Sequence, residues 1–292
     1  MTRARALAIL LTITGALWLS GCGAPAPSAR DWPAPSPALW EVNGPGGAKG
    51  WLFGTVHALP DAVAWRTPLL EDRLARAGPL VVEIADLDDP AGRALFHEMA
   101  FSAGQPPLTS RVDAAHRPAL KRLMQQNDAK DGDFAGVESW GAALLLGSCV
   151  RTGDPANGVD RALIAGADEV IGLESFAGQY AIFDALPAKA QSDLLLAVAT
   201  EAEAADPDGA VRDWLTGNEA ALDRRLNAGV LAFPDLRRAL LERRNKAWTA
   251  RIADLVNDGR RPFVAVGAGH LVGDTGLPVL LRERGFTVRR IQ

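Results

Sequence analysis

Two short segments each place a histidine directly after an apolar run. They are 54–57 (Gly-Thr-Val-His) and 267–270 (Gly-Ala-Gly-His), which end at His57 and His270. Glycines allow tight backbone turns, and ligands of open α/β sheets bind beyond the carboxyl ends of the strands. The chain has only four histidines. Two of them in the same setting favour a shared functional site, and the alternative is a pair of core histidines.

A carboxylate within another apolar segment, 79–84, could complete this site. Burying the charge of Glu83 costs free energy unless a cation or hydrogen-bond donors satisfy it. A divalent metal between His57, Glu83 and His270 would supply that cation, and three N or O ligands with one open position are typical of catalytic sites. Such ligands suit manganese, cobalt, iron or zinc. The alternative is a strand-end glutamate that faces water.

Strand patterns lie mainly at the two ends of the folded part of the chain, with helical spacing between them. The strand-like segments are 38–42, 50–56, 79–84, 170–173, 262–266 and 286–291. A glycine-rich turn after residue 42 predicts a hairpin between the first two. Helical periodicity dominates 90–153 and 180–257. We therefore expect an α/β (α+β) fold, with a central sheet built from N- and C-terminal strands and a large helical insertion.

The composition limits the class of ligand. Hydrophobic residues make up 48% and charged residues 23% of the 292 residues, which is typical of a folded domain. A formal net charge of -4 argues against nucleic acid, which needs a basic face. A His-Glu-x-x-His motif that began at His97 would have a second histidine at its fifth position, but that residue is Phe101. There is also no Gly-x-Ser-x-Gly elbow. We expect a peptide or small-molecule substrate.

The N-terminus predicts export and a lipid anchor. Residues 1–21 combine early arginines with a short apolar run, as in a signal peptide. Residues 19–22, Leu-Ser-Gly-Cys, resemble the bacterial lipobox, in which Cys22 would be lipidated. By similarity to lipoprotein sorting, Gly23 then favours an anchor in the outer membrane, with the domain facing the periplasm. Residues 22–37 are rich in Pro, Ala and Ser and predict a tether. This leaves 38–292 as a single domain, in which we expect the remaining Cys149 to be buried.

Several motifs together resemble the TraB/GumN family, whose wider group includes the Tiki proteases. Besides the two histidine motifs, they are Val-Val-Glu at 81–83, Gly-Val-Asp at 158–160, Gly-Leu-Glu at 172–174 with Gln179, Arg244-Asn245 with Trp248, and the glycine-rich 267–273. They span nearly the whole domain in order. For Tiki-type members the resemblance implies metal-dependent peptidase activity, which transfers here to His57, Glu83 and His270.

Three further side chains are candidates for this site. Arg244 could clamp a substrate carboxylate or an oxyanion, and Asn245 could donate a hydrogen bond, although their helix carries many solvated charges. Glu174 could be a second acid, base or ligand, or only a residue at a helix start.

Three functions follow from these residues. The first is a metal-dependent hydrolase of peptide bonds in the cell envelope. The second is a metal-free esterase or amidase that uses the same His and Glu groups. The third is a non-enzymatic lipoprotein that binds a peptide or signal, or regulates envelope assembly.

Overall fold

The strands from both ends of the chain pair in one mixed sheet. The computed structural model describes residues 31–150, 152–203, 206 and 208–292. Within them the strands are β1 (Leu39–Asn43), β2 (Lys49–Thr55), β3 (Leu80–Val82), β4 (Val170–Gly172), β5 (Phe263–Gly267) and β6 (Thr287–Arg290). Their order is β4-β3-β5-β2-β1-β6. The predicted α/β class and the sheet of N- and C-terminal strands are confirmed.

The sheet has a parallel part and an antiparallel edge. β4, β3, β5 and β2 run parallel, with Phe53 opposite Ala265 in the β2–β5 register. β1 is antiparallel to both β2 and β6. The predicted hairpin joins β1 to β2 through a turn in which Gly46 and Gly47 have φ of 67° and 86°, a conformation that glycine adopts without strain. The carboxyl ends of the four parallel strands therefore meet at one edge of the sheet.

Helices cover both faces of the sheet and form the insertion. They are α1 (Pro68–Arg76), α2 (Pro90–Ala100), α3 (Arg117–Gln126), α4 (Ser139–Val150), α5 (Val159–Ile164), α6 (Phe176–Asp184), α7 (Ala188–Glu201), α8 (Gly209–Leu215), α9 (Glu219–Ala228), α10 (Pro234–Arg237), α11 (Arg243–Asn257) and α12 (Leu277–Glu283). Because side chains alternate along a strand, Val264 packs with α11 and α12, whereas Phe263 packs with α1 and α8 on the other face. A separate apolar core lies among α2, α3, α4 and α7.

A π-helical turn interrupts the long helical segment near the C-terminus. It covers Arg238–Glu242, between α10 and α11, and the Arg243 N–H donates to the Arg238 carbonyl. π turns insert an extra residue into a helix and are frequent at functional sites. This turn ends two residues before Arg244, and its Leu240 carbonyl accepts a hydrogen bond from Arg244 Nη1.

Two expectations need correction. Cys149 is exposed rather than buried, because the buried residues of α4 lie in its earlier turns and Cys149 shares a face with exposed Leu145, one turn before it. The strand predicted over 79–84 ends at Val82, so Glu83 is the first residue beyond the strand and can bond to groups at the sheet edge.

The N-terminal predictions fall mostly outside the described residues. The signal peptide and Cys22 lie there, as does most of the tether. Residues 32–292 form one compact unit. Among the described residues, no helix has the length and apolar character needed to cross a membrane.

The hydrogen bond from Trp214 to the strand before His57 offers a test of the fold. The Trp214 Nε1–H donates to the Gly54 carbonyl at 2.8 Å. Trp51 is equally buried, but its Nε1 has no partner among the described residues. Both Trp→Phe changes remove the same atoms. We expect Trp214→Phe to lower the free energy of unfolding by about 1–3 kcal/mol more than Trp51→Phe, as measured by urea denaturation. Equal losses would contradict this bond.

Candidate active site

The parallel strand ends bring the predicted residues together. His57 follows β2, Glu83 follows β3, Glu174 follows β4 and His270 lies in the turn after β5. The backbone continues the pairing past the strands, since the Glu174 N–H donates to the Glu83 carbonyl at 2.8 Å. The fold thus places residues from distant parts of the sequence on one edge of the sheet.

His57 is the exposed member of this group. Its side chain is 58% exposed, and Nδ1 lies 2.8 Å from Asp160 Oδ2. The hydroxyl of Thr55 donates to the other oxygen of Asp160. When Asp160 accepts the Nδ1 proton, the tautomer that results carries its lone pair on Nε2. The ring is therefore held at Nδ1 by a buried carboxylate.

The sequence analysis did not place Asp160 among the site residues. It lies in the first turn of α5 and is buried. The Val159 N–H donates to the Val56 carbonyl at 2.9 Å, and a β-carbon on Gly158 would lie 2.7 Å from the His57 carbonyl oxygen. Gly158 thus allows α5 to approach the His57 backbone closely. The sequence did contain a signal for Asp160, because this carboxylate directly follows an apolar residue in the Gly-Val-Asp motif at 158–160.

Glu83 is buried and ionised at neutral pH. Its Oε2 accepts from Arg244 Nη2 at 2.6 Å, and its Oε1 accepts from the Gly267 N–H at 2.9 Å. Burial alone would raise the pKa of Glu83, but Arg244, the Gly267 hydrogen bond and the charges that His270 and His57 carry once protonated in acid lower it to about 2. The negative charge of Glu83, which the sequence predicted to need a partner, is therefore satisfied by Arg244 and the Gly267 N–H.

Arg244 occupies the centre of the site. Its Nη1 contacts the Leu240 carbonyl at 3.0 Å and His270 Nε2 at 3.1 Å, while its Nη2 donates to both Glu83 and Glu174. Its Nε donates to Glu174 at 2.9 Å. A guanidinium has five N–H donors, so each has a partner within the protein. Burial alone would lower the pKa of Arg244, but the two glutamates raise it above its ordinary value.

Glu174 is the second carboxylate that holds this arginine. It also accepts from Trp248 Nε1 at 3.1 Å, and the guanidinium carbon of Arg244 lies 4.6 Å from the centre of the Trp248 ring. Its side chain is 12% exposed. This geometry makes Glu174 and Trp248 a support for Arg244.

His270 is neutral and held at both ring nitrogens. Its Nδ1 lies 2.6 Å from Asn245 Oδ1, and the Asn245 amide group donates to the His270 and Thr275 carbonyls. The hydrogen-bond pattern thus assigns the proton to Nδ1 and makes Nε2 the acceptor from Arg244. Burial and the positive charges of Arg244 and His57 lower the pKa of His270 to about 4, although the charge of Glu83 opposes them.

The atoms around Gly267 test the predicted metal site. A β-carbon on Gly267 would lie 3.1 Å from Glu83 Oε1, 3.7 Å from His57 Nε2 and 3.8 Å from His270 Cδ2. Two of the predicted ligands thus approach this position with atoms that could bind a metal, but His270 approaches it with a carbon. Within the described part of the chain, no group of three His, Cys, Asp or Glu side chains is arranged to hold an ion. The three-ligand set does not fit a metal in this arrangement, because Arg244 supplies the cation.

Comparison with known proteins confirms the resemblance drawn from the motifs. The model of the TraB/PrgY/gumN family matches residues 38–290. The search of curated proteins and the search of solved structures each gave no match.

The lowered pKa of His270 predicts acid sensitivity. Its pKa is about 4 in the folded chain, against an ordinary value of 6.5 for histidine. As the pH falls from 6.5 toward 4, His270 therefore binds a proton in the unfolded chain but not in the folded chain. The contribution of neutral His270 to the free energy of unfolding is therefore complete above pH 6.5, and about 3 kcal/mol of it is lost by pH 4.

Urea denaturation at pH 7 and pH 4 measures this loss. His270→Gln should lose about 3 kcal/mol less than the unmodified chain between the two values, and exposed His97 supplies the matched His97→Gln control. A pH dependence in His270→Gln as steep as in the unmodified chain would refute the assignment.

Proposed function

This chain belongs to the TraB/PrgY/gumN family, and from this premise we propose that it is a cell-envelope hydrolase that cleaves a peptide or related carbonyl bond. The observation that carries the proposal is the setting of His57. Asp160 holds its Nδ1, and its Nε2 faces the ionised Glu83 across Gly267. An imidazole oriented by a carboxylate is the usual form of a general base in hydrolases.

The proposed reaction uses water as the nucleophile. His57 Nε2 takes a proton as the water oxygen attacks the carbonyl carbon, while Glu83 Oε1 orients the water by accepting its second proton in a hydrogen bond. Asp160 and Glu83 stabilise the positive charge that develops on His57. When the tetrahedral intermediate collapses, His57 returns its proton to the leaving nitrogen or oxygen. The two atoms that contact the water, His57 Nε2 and Glu83 Oε1, both lie within 4 Å of the β-carbon position of Gly267.

Arg244, Asn245, Glu174 and His270 act as positioning residues in this proposal. The donors of Arg244 and Asn245 are bonded within the protein, so neither is directed at a substrate. Their effect on the reaction passes through Glu83, whose orientation and charge they set. This differs from the substrate clamp and the second acid considered from the sequence.

A metal-dependent form of the same hydrolysis is the second candidate. It is favoured by the approach of His57 Nε2 and Glu83 Oε1 to the β-carbon position of Gly267, and by the fixing of His57 at Nδ1, which is common for metal-bound histidines. His57 and Glu83 would hold manganese, cobalt, iron or zinc, and the ion would polarise a carbonyl or activate water. His270 would join them only after releasing Arg244.

The proposed location is the outer membrane, with the domain facing the periplasm. Lipidation of Cys22 in the Leu-Ser-Gly-Cys motif supports an anchor, and the Pro- and Ala-rich residues after it support a tether. A peptide or small molecule in the envelope is then the substrate within reach.

Turnover of a library of fluorogenic peptide amides and p-nitrophenyl esters tests the proposal. We expect His57→Ala and Asp160→Asn each to lower kcat/KM by about 10²–10⁴-fold, because general base catalysis contributes that much. His97→Ala, on the exposed face of α2, is the matched control and should keep full activity.

Chelation then separates the two candidates. The metal-free mechanism predicts unchanged turnover after treatment with EDTA and no bound metal by elemental analysis. Loss of turnover that manganese, cobalt, iron or zinc restores would establish the second candidate. Tight binding of library peptides with no turnover by any form would reject hydrolysis and support a binding lipoprotein.

A further inference from the structure

A cavity of about 290 Å³ lies against the loop that carries His270. Its walls come from α9, from the segment that includes Arg237 and Leu241, and from loop residues 269–275. We propose that this cavity is a substrate subsite for an alkylammonium group, such as the side chain of a lysine. The inference rests on the proposed function and names the class of peptide that the site selects.

The apolar part of the cavity suits a chain of methylene groups. Leu226, Leu231, Leu241 and Val272 line it, and the last three are buried. Ligand pockets combine such apolar walls with a few placed polar groups, and aliphatic stems of long cationic side chains pack on apolar surface. The volume is near the lower end of the range for ligand pockets, about 300–1,000 Å³. It suits a single long side chain.

The charges of the cavity favour a cation. Asp223 and Asp274 both line it, and within the described part of the chain neither side chain has an ion-pair or hydrogen-bond partner. The guanidinium of Arg237 also lines it, but Nη2 donates to the Leu231 carbonyl at 2.6 Å and to the Asn227 side chain. Two carboxylates and one guanidinium leave the cavity with one net negative charge.

The loop backbone brings Asp223 to this position. A β-carbon on Gly273 would lie 2.8 Å from Asp223 Oδ1, and Gly273 has a φ of 73°. A side chain at residue 273 would displace the carboxylate and strain the backbone. The glycine therefore allows the carboxylate of α9 to approach the loop.

The same loop links the cavity to the reactive groups. Gly269 lines the cavity and directly precedes His270, and the Thr275 carbonyl at the cavity accepts from Asn245 at 2.7 Å. The cavity therefore adjoins the loop that carries His270.

Binding of two matched probes tests the subsite without requiring turnover. Nα-acetyl-lysine amide and its neutral counterpart Nα-acetyl-norleucine amide differ at the ammonium group. We expect the full-length chain in detergent to bind the lysine probe at least about tenfold more tightly at low salt, because hydrogen bonds to charged groups contribute that much. The double variant Asp223→Asn/Asp274→Asn should lose this preference and still bind the norleucine probe.

The control is Asp168→Asn, an exposed carboxylate in the turn before β4, at the opposite end of the parallel strands. It should keep the preference. Equal binding of both probes by the unmodified chain, or a loss in Asp168→Asn as large as in the double variant, would overturn the subsite.

Measuring peptide turnover distinguishes a failure of the lysine subsite from a failure of the proposed hydrolase function. Cleavage without preference for lysine, together with equal probe binding, would reject the subsite and leave the hydrolase. Preferential lysine binding with no cleavage of any library member would reject the hydrolase and leave the subsite.

Discussion

The site depends on the burial of one cation between two carboxylates. Arg244 forms ion pairs with both Glu83 and Glu174, and all three side chains are only 11–12% exposed. An unpaired charge at such a depth costs several kcal/mol, so removing Arg244 leaves both carboxylates without their cation. The carboxylates follow β3 and β4, and the arginine comes from α11. The network therefore ties the sheet edge to the C-terminal helix, and it also fixes His270.

This constraint separates the residues of the buried ion network, which hold the site together, from the exposed His57. The donors of Arg244 end on protein acceptors, one of which is the Leu240 carbonyl in the π turn. The backbone irregularity thus has a local role, because it supplies an acceptor to the guanidinium. His57 lies outside the network, exposed and oriented by Asp160. The charged centre of the site can stay rigid while the imidazole beside it exchanges protons.

The sequence predicted the sheet more fully than it predicted the roles of the site residues. Compact apolar runs and glycine turns identified the strands, and the position of Glu83 within one such run implied a buried charge that needed a partner. The sequence suggested a metal for that partner. Arg244 was instead one of many cations on its helix, and only the π turn and the packing of α11 on the sheet distinguish it. Asp160 was missed because its contact with His57 spans 103 residues. Cys149 was wrongly placed because composition does not show where a helix leaves the core.

The free energy of unfolding of three variants tests the central claim most directly. Arg244→Met leaves two buried carboxylates without their cation, and we predict a loss of about 3–5 kcal/mol in urea denaturation at pH 7. Adding Glu83→Gln and Glu174→Gln removes those charges, so the triple variant should recover a large part of that loss. Leu240 and Trp248 remain in each variant, which keeps the surrounding packing constant. If Arg244→Met is as stable as the unmodified chain, or if the triple variant is less stable than Arg244→Met, the buried ion network does not organise this site.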